Sequence, residues 1–290
     1  IDNFYTTTIY EKGAEIIRML YVLLGKQKFM KGMANYINKY DGGFATTEDF
    51  VNAIFSVDDL NQDTLGFDSN QFSIWYAQSG TPHVSIARQW DSESNSLKIE
   101  CKQSATKYWD RNNIRPLIIP ILFSIIDDNS FSINEELLIL DENQKCFKID
   151  TLNKYKSKPI LSIFRGFSAP VTWDIDHSDS ENLHLLKNDD DSFSRWDASQ
   201  SLMRKALLNR YKGIESYSLE NNLVSTLNTI MINSDVNNDP ILAKLLSVPG
   251  SAELESCLEK IDPLLLFESR NQYISSLGQQ LFKPLTRLIE

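Results

Sequence analysis

Trp75-Tyr76-Ala77-Gln78-Ser79-Gly80-Thr81-Pro82 (WYAQSGTP) is the stretch where the apolar pattern of this 290-residue chain changes its period. Upstream of it, apolar residues recur at the spacing of a helix, and downstream of it apolar and polar residues alternate. Gly80 and Pro82 lie two positions apart, a combination that interrupts regular structure. We therefore predict a domain boundary here, with a helical region over residues 1–82.

The upstream region has the periodicity of several short helices. A first helix is predicted to bury the stripe Ala14, Ile17, Leu20 or Tyr21, and Leu24, and to stop at Gly25. A second helix is predicted from Phe29 to Tyr40. A third begins at Thr46-Thr47-Glu48-Asp49, which is a helix-capping signature. A further apolar segment, residues 72–78, leads into the boundary.

Downstream of Pro82 the apolar residues alternate with polar ones, which is typical of half-buried strands. Strands are predicted around residues 84–86, 97–101, 117–126, 137–140, 147–149 and 160–164. Short strands separated by turn residues indicate a β-sandwich of about 100 residues, which we place at residues 83–178.

From residue 179 the helical pattern returns. The run Asp189-Asp190-Asp191-Ser192 suits a helix N-terminus. Further helices are predicted over residues 193–207, 223–232, 241–246, 252–258 and 264–285. Pro249-Gly250 and Pro263 separate them, and the alternation indicates a solenoid-like array over residues 179–290, although no sequence repeat is visible.

The composition excludes several classes of protein. The formal net charge of −10 argues against a nucleic-acid-binding surface, which requires a basic face. The most apolar run, residues 117–126, is too short to span a bilayer and contains Pro120. Cys101, Cys146 and Cys257 are odd in number and widely spaced, so we expect buried free thiols, a reducing compartment and a cytoplasmic location.

A search for catalytic and metal-binding motifs finds few candidates. The histidines, His83, His177 and His184, do not form an HExxH motif, and no dinucleotide or phosphate-binding glycine pattern is present. His177 and His184 lie seven positions apart in an acidic segment, where we expect solvated surface side chains rather than a metal site.

The most informative candidate is Tyr10. Thr8-Ile9-Tyr10-Glu11 fits a capping box, in which Thr8 caps the helix and Glu11 bonds back to the Thr8 amide. A phenol held in this way can donate a hydrogen bond to a developing oxyanion. On position alone, ordinary packing of an amphipathic aromatic is the favoured interpretation.

The quoted residues also carry a family resemblance. The segment from Asn3 through Tyr10-Glu11-Lys12-Gly13 to Met19 strongly resembles the M1 family of zinc aminopeptidases, and most closely its bacterial aminopeptidase N branch. Trp75–Pro82 resembles the end of that family's catalytic domain. Phe167–Val171 resembles the end of its β-sandwich, and Ser192–Ala198 an early helix of its C-terminal domain. Beyond about residue 200 only the helical character matches.

The resemblance implies a fold and an activity. The fold is a multidomain α and β one: the helical end of a thermolysin-like catalytic domain, then a β-sandwich, then the start of an α-helical solenoid-like domain. The activity is removal of N-terminal amino acids from peptide substrates, with zinc activating a water or polarising the carbonyl.

The resemblance also implies roles for two tyrosines. Tyr10 corresponds to the family's tyrosine that stabilises the tetrahedral intermediate. Tyr5 corresponds to a residue near the pocket for the substrate's first side chain. Thr7 stands where the branch more often has alanine, a small departure.

The family's GAMEN motif, and HExxH with its downstream glutamate, do not occur in this sequence. The lack of an initial methionine favours a piece of a longer enzyme, so we expect these 290 residues alone to bind no catalytic zinc and to be inactive. Apolar surface left uncovered on residues 1–80 is then expected to promote self-association. The alternatives are a non-catalytic scaffold or interaction module, such as a degenerate paralogue, and an α and β protein without a site.

Overall fold

The computed structural model describes residues 8–58, 60, 65–104, 115–126, 135–150, 158–234 and 240–289. Helices come first, strands follow and helices return, which confirms the predicted fold class. The chain divides into two compact units. Unit 1 comprises residues 1–124, 134–159 and 163–176, and unit 2 comprises residues 125–133, 160–162 and 177–290. No helix in the described ranges is long and apolar enough to cross a membrane.

Unit 1 begins with helices. A π-helical turn at Thr8–Lys12 runs into α1 (Gly13–Tyr40), which is followed by α2 (Thr47–Phe55) and α3 (Ser69–Ala77). The predicted stop at Gly25 is a kink inside α1, where φ is 73° and ψ is 161°. A left-handed φ is accessible to glycine at little cost, so the chain can break the helix there and resume it.

The buried stripe of α1 differs from the one predicted. It runs through Ile16, Met19, Leu20, Leu23 and Leu24. Leu20 and Leu24 are therefore buried as predicted, whereas Ile17 is 39% exposed. Apolar residues occupy nearly every position from 16 to 24, so periodicity alone did not define the inner face. The predicted cap of α2 is confirmed: the Thr46 side chain accepts from the Asp49 amide, and the Asp49 carboxylate accepts from the Thr46 amide.

The sandwich has two sheets. Its strands are β1 (His83–Asp91), β2 (Ser96–Ser104), β3 (Ile119–Ile126), β4 (Glu136–Leu140), β5 (Gln144–Ile149), β6 (Ile160–Ile163) and β7 (Thr172–Ile175). One sheet has the order β5-β2-β1-β7 and the other β4-β3-β6. Every predicted strand is present, and Val84, Ile86, Leu97, Ile99 and Cys101 point into the core as their alternation indicates.

Strand β7 was missed by the sequence prediction. It pairs in parallel with β1, from His83 opposite Thr172 to Ile86 opposite Ile175. It has only four residues, none of them fully buried, so it carries no strong alternation. Its position depends on a parallel partner almost ninety residues earlier, which local sequence does not reveal.

The helices of unit 1 and the sandwich are joined by side-chain hydrogen bonds. The buried indole Nε1 of Trp75 on α3 donates to the Ile118 carbonyl at 2.8 Å. Gln78 accepts from the Arg115 amide at 3.1 Å and donates to the Arg115 carbonyl at 3.2 Å. The WYAQSGTP stretch is therefore attached to the chain that leads into β3.

Unit 2 contains the helical array. Its helices are α4 (Asp179–Asn188), α5 (Ser192–Tyr211), α6 (Tyr217–Asn233), α7 (Leu242–Leu245), α8 (Ser251–Ser256), α9 (Pro263–Gln280) and α10 (Phe282–Ile289). Their apolar residues form a common core, in which Met203, Leu223, Leu227 and Leu245 are almost fully buried. Asp191 caps α5 by accepting from the Ser194 amide at 2.8 Å, as the acidic run predicted.

Two predictions for this half of the chain need correction. The predicted helix over residues 264–285 is two helices, α9 and α10, with Leu281 between them. The segment holding His184 is not a solvated linker but helix α4, and the Nε2 atoms of both His177 and His184 are shielded from solvent. Amphipathic packing of α4, through Leu185 and Leu186, carries the histidine inward.

Candidate functional site

Tyr10 lies in the π-helical turn at the start of α1 and is 59% exposed. A π-helical turn is wider than an α-helical one and occurs often at functional sites. The phenol is therefore presented to solvent from a backbone segment that is continuous with the 28-residue helix α1.

The capping box predicted at Thr8 depends on the side chain of Thr8, which is not among the described side chains, so it stays a prediction. Thr8 is already helical, and Lys12, which directly precedes α1, has helical torsions of φ −62° and ψ −36°. Tyr10 belongs to this turn, which runs directly into α1.

Two cationic side chains connect this helix to distant backbone. The Lys12 Nζ atom donates to the Gly80 carbonyl at 2.8 Å. Further along α1, Arg18 donates to the Gly166 carbonyl from Nε at 3.0 Å and from Nη2 at 2.5 Å. Both acceptors lie in or beside segments that the sequence marked as ends of domains.

The segment that contains Gly166 is backbone-strained and firmly held. Phe164, Gly166 and Phe167 have left-handed φ values of 52°, 57° and 55°. The Ser168 hydroxyl donates to the Pro120 carbonyl at 2.9 Å and accepts from the Leu122 amide at 3.2 Å. Strained torsions of this kind persist where surrounding contacts over-determine them.

A cleft of 280 Å³ lies between the start of α1 and this segment. Glu11, Lys12 and Glu15 line one side of it, and Phe167 and Pro170 line the other. Burial raises the pKa of the Glu15 carboxyl, with the nearby Glu11 charge adding to the rise. Burial also lowers the pKa of the Lys12 ammonium, which the Glu15 charge partly offsets.

The other predicted residues do not join this site. Tyr5 and Thr7 lie outside the described residues. His83 lies on β1 and pairs with Asp174 of β7, while His177 and His184 belong to unit 2. Within the described ranges, no three histidine, cysteine, aspartate or glutamate side chains are placed to hold a metal ion.

The cysteines are only partly as predicted. All three are free thiols, but only Cys101 is buried, whereas Cys146 and Cys257 are exposed. Burial raises the pKa of the Cys101 thiol to about 12. Cys146 lies on β5, whose side chains alternate between exposed and half-buried positions, so its exposure follows from the face it occupies.

Sequence reasoning missed Lys12 and Arg18. Their partners are backbone carbonyls 68 and 148 positions away. Every residue type has a backbone carbonyl, so the sequence does not show which one accepts the bond. The one available signal was the position of Lys12 inside the Tyr10-Glu11-Lys12-Gly13 motif.

Three family models match consecutive parts of the chain. "Peptidase family M1 domain" matches residues 1–72, and "Domain of unknown function (DUF3458) Ig-like fold" matches residues 80–176. "Domain of unknown function (DUF3458_C) ARM repeats" matches residues 179–290. The Ig-like and ARM-repeat descriptions agree with the sandwich and the helical array.

Similar proteins are aminopeptidases. The chain is 31% identical to Aminopeptidase N of Escherichia coli over 98% of its own length and 33% of that protein. It is 36% identical to Aminopeptidase N of Haemophilus influenzae over 91% of the chain and 30% of that protein. It is 35% identical to Aminopeptidase N of Caulobacter vibrioides over 99% of the chain and 32% of that protein.

A solved structure shares the fold. The crystal structure of Legionella pneumophila aminopeptidase A in complex with aspartic acid superposes with a TM-score of 0.81 at 27% sequence identity. The match covers 99% of this chain and 31% of that one. The chain thus spans about a third of the length of the relatives it matches.

Proposed function

Because the chain belongs to the M1 peptidase family, we propose that it is part of an aminopeptidase that removes N-terminal amino acids from peptides. The observation that carries this proposal is the position of Tyr10, exposed in a π-helical turn whose next residues, Glu11 and Lys12, line a cleft. This turn lies within the residues that match the M1 peptidase domain.

In the proposed reaction Tyr10 acts as a hydrogen-bond donor. A peptide carbonyl that becomes tetrahedral places negative charge on its oxygen, and a preoriented phenol stabilises that charge. The exposed ring can reach a substrate without disturbing the core of α1. We assign Tyr5, by resemblance alone, to the pocket for the first side chain of the substrate.

The resemblance implies a zinc ion. We assign its ligands to residues of the whole enzyme other than these 290. No step of the proposed role of Tyr10 is derived from it. We propose domains at residues 1–82, 83–178 and 179–290, and we expect the 290-residue chain by itself to be inactive.

The setting of the enzyme is also a proposal. The free thiols and the resemblance to the bacterial branch favour the cytoplasm. The net charge of −10 favours peptides rather than nucleic acids as partners.

The proposal is tested on the whole protein with a peptide that has a free amino end and with its N-acetylated counterpart. We expect release of the first residue from the free peptide only, and loss of activity on treatment with a metal chelator. Equal cleavage of both peptides, or none of either, would contradict the proposal. The 290-residue chain assayed beside it is expected to show no turnover.

A further inference from the structure

We propose that Lys12 is a positioning residue for Tyr10: its hydrogen bond to the Gly80 carbonyl sets where the phenol points. This inference rests on the proposed function for its catalytic consequence, but its structural content can be measured without any activity.

Lys12 is close to Tyr10 in both sequence and structure. The two residues share the five-residue π-helical turn Thr8–Lys12. The Lys12 side chain extends from that turn to Gly80 and makes a partly buried bond of 2.8 Å. A charged donor with reduced solvent competition makes a stronger hydrogen bond than an exposed neutral one. The turn is therefore attached to a fixed point rather than left to fray.

The acceptor is itself fixed. Gly80 lies two residues after Gln78. The Gln78 side chain accepts from the backbone N–H of Arg115 and donates to the Arg115 carbonyl. Five residues before Gly80, the Trp75 indole is bonded to the Ile118 carbonyl. Two attachments to the chain that leads into β3 thus hold the segment whose carbonyl Lys12 uses.

Arg18 supplies a second and different attachment. Its two donors bond the Gly166 carbonyl, in the strained segment that forms the other side of the cleft. Arg18 lies eight residues after Tyr10, so it holds the body of α1, whereas Lys12 holds the turn. Without Lys12 the helix stays docked while its first turn gains freedom.

The expected consequence is catalytic. A displacement of about 1 Å in a catalytic group can reduce a rate by about 100-fold. Lys12→Met keeps most of the aliphatic length and removes the donors, so kcat is expected to fall by up to about 100-fold with KM little changed. Lys12→Arg restores a donor and is expected to recover part of the loss.

A double-mutant cycle in the whole protein separates positioning from other roles. In a Tyr10→Phe background, Lys12→Met is expected to cause no further fall in kcat, because no phenol hydroxyl is left for Lys12 to position. Additive losses would overturn the proposal. Lys31→Met is the matched control, because Lys31 lies on α1, which follows the turn, and pairs with the exposed Asp58 at 3.3 Å. It is expected to behave as wild type.

The independent readout is amide hydrogen exchange over residues 9–14 of the same variants. Lys12→Met is expected to lower protection there, and Lys12→Arg to restore it, with Lys31→Met unchanged. Unchanged protection in Lys12→Met overturns the inference even if activity falls. If Lys12→Met lowers protection but the whole protein has no peptidase activity, the proposed function is wrong. The structural link between Lys12 and Gly80 is then still supported.

Discussion

Gln103, on β2, shows how one side chain can join three segments of the sandwich. Its Nε2 atom donates to the carbonyls of Leu117 at 3.0 Å and Glu142 at 2.8 Å, and its Oε1 atom accepts from the Leu117 amide at 2.9 Å. Gln103 is only 8% exposed, and its two bonds to Leu117 are buried, so water has little access to them. Removing the amide leaves the two buried backbone groups of Leu117, and the partly buried Glu142 carbonyl, without their partner.

Gln103→Leu is therefore expected to lower the free energy of unfolding by about 2–4 kcal/mol, measured by urea denaturation. Gln144→Leu is the matched control, because Gln144 lies on neighbouring β5 and bonds an exposed Glu100 carboxylate. Its effect is expected within about 0.5 kcal/mol. Equal effects of the two changes would show that the Gln103 bonds do not hold the sandwich.

Asp197, on α5, carries a half-buried acid that makes stability depend on pH. Burial raises the pKa of its carboxyl from 3.8 to about 6, the nearby Arg204 opposes the rise and Glu253 adds to it. The pKa of Asp197 is higher in the folded state than in the unfolded state. The protonated carboxyl therefore makes its full contribution to stability below about pH 4. It is lost as the pH rises through about 6.

Asp197→Asn removes this dependence. Relative to wild type, the variant is expected to gain on the order of 2–3 kcal/mol in free energy of unfolding between about pH 4 and pH 7. Denaturation of both proteins at the two pH values measures the difference. If the free energies of unfolding of the two proteins differ by the same amount at both pH values, burial of the carboxyl is not the cause.

At the scale of elements, α1 and α2 approach closely at Gly32. A Cβ atom there would lie 2.9 Å from the Ile54 Cα and 3.0 Å from its carbonyl oxygen. Backbone atoms cannot move aside as a flexible side chain can, so a methyl group must separate the helices.

Gly32→Ala is expected to destabilise the protein by about 1–3 kcal/mol. Gly13→Ala, on the same helix, meets nothing within 4 Å and is expected to stabilise it by about 0.5–1 kcal/mol. Thermal or urea unfolding of both variants gives the comparison. A stabilising Gly32→Ala would mean that the two helices are not in contact at this point.

The elements also show what the sequence could and could not indicate. Val84 and Ile86 alternate clearly with polar neighbours, so β1 was predictable, whereas the four residues of β7 depend on a distant parallel partner. Gly25 was correctly identified as a break, because a left-handed φ is a local property. The inner face of α1 was not, because apolar residues surround that part of the helix.

The candidate site follows the same division. Tyr10 was found through a motif of neighbouring residues, yet its π-helical turn and its Lys12–Gly80 link depend on contacts far along the chain. Family resemblance supplied its role, and local sequence by itself favoured ordinary packing.

At the scale of the whole molecule, the described helices of unit 1 leave large apolar side chains uncovered. Met30 and Ile37 on α1 are each 55% exposed, and Phe44 after it is fully exposed. Exposed apolar groups of this size promote association. We expect the 290-residue chain to self-associate as its concentration rises, and Met30→Lys with Ile37→Lys to reduce this. Light scattering over a dilution series is the measurement, and a monodisperse monomer throughout would contradict the expectation.

The proposal that Tyr10 stabilises the reacting carbonyl is tested most directly by kcat of the whole protein carrying Tyr10→Phe. The ring is exposed, so the change is expected to leave folding and bound zinc unaltered. We predict a fall in kcat of about 100- to 1000-fold with KM little changed, as for the loss of one oxyanion donor. A variant that keeps the wild-type kcat would contradict the proposed role of Tyr10.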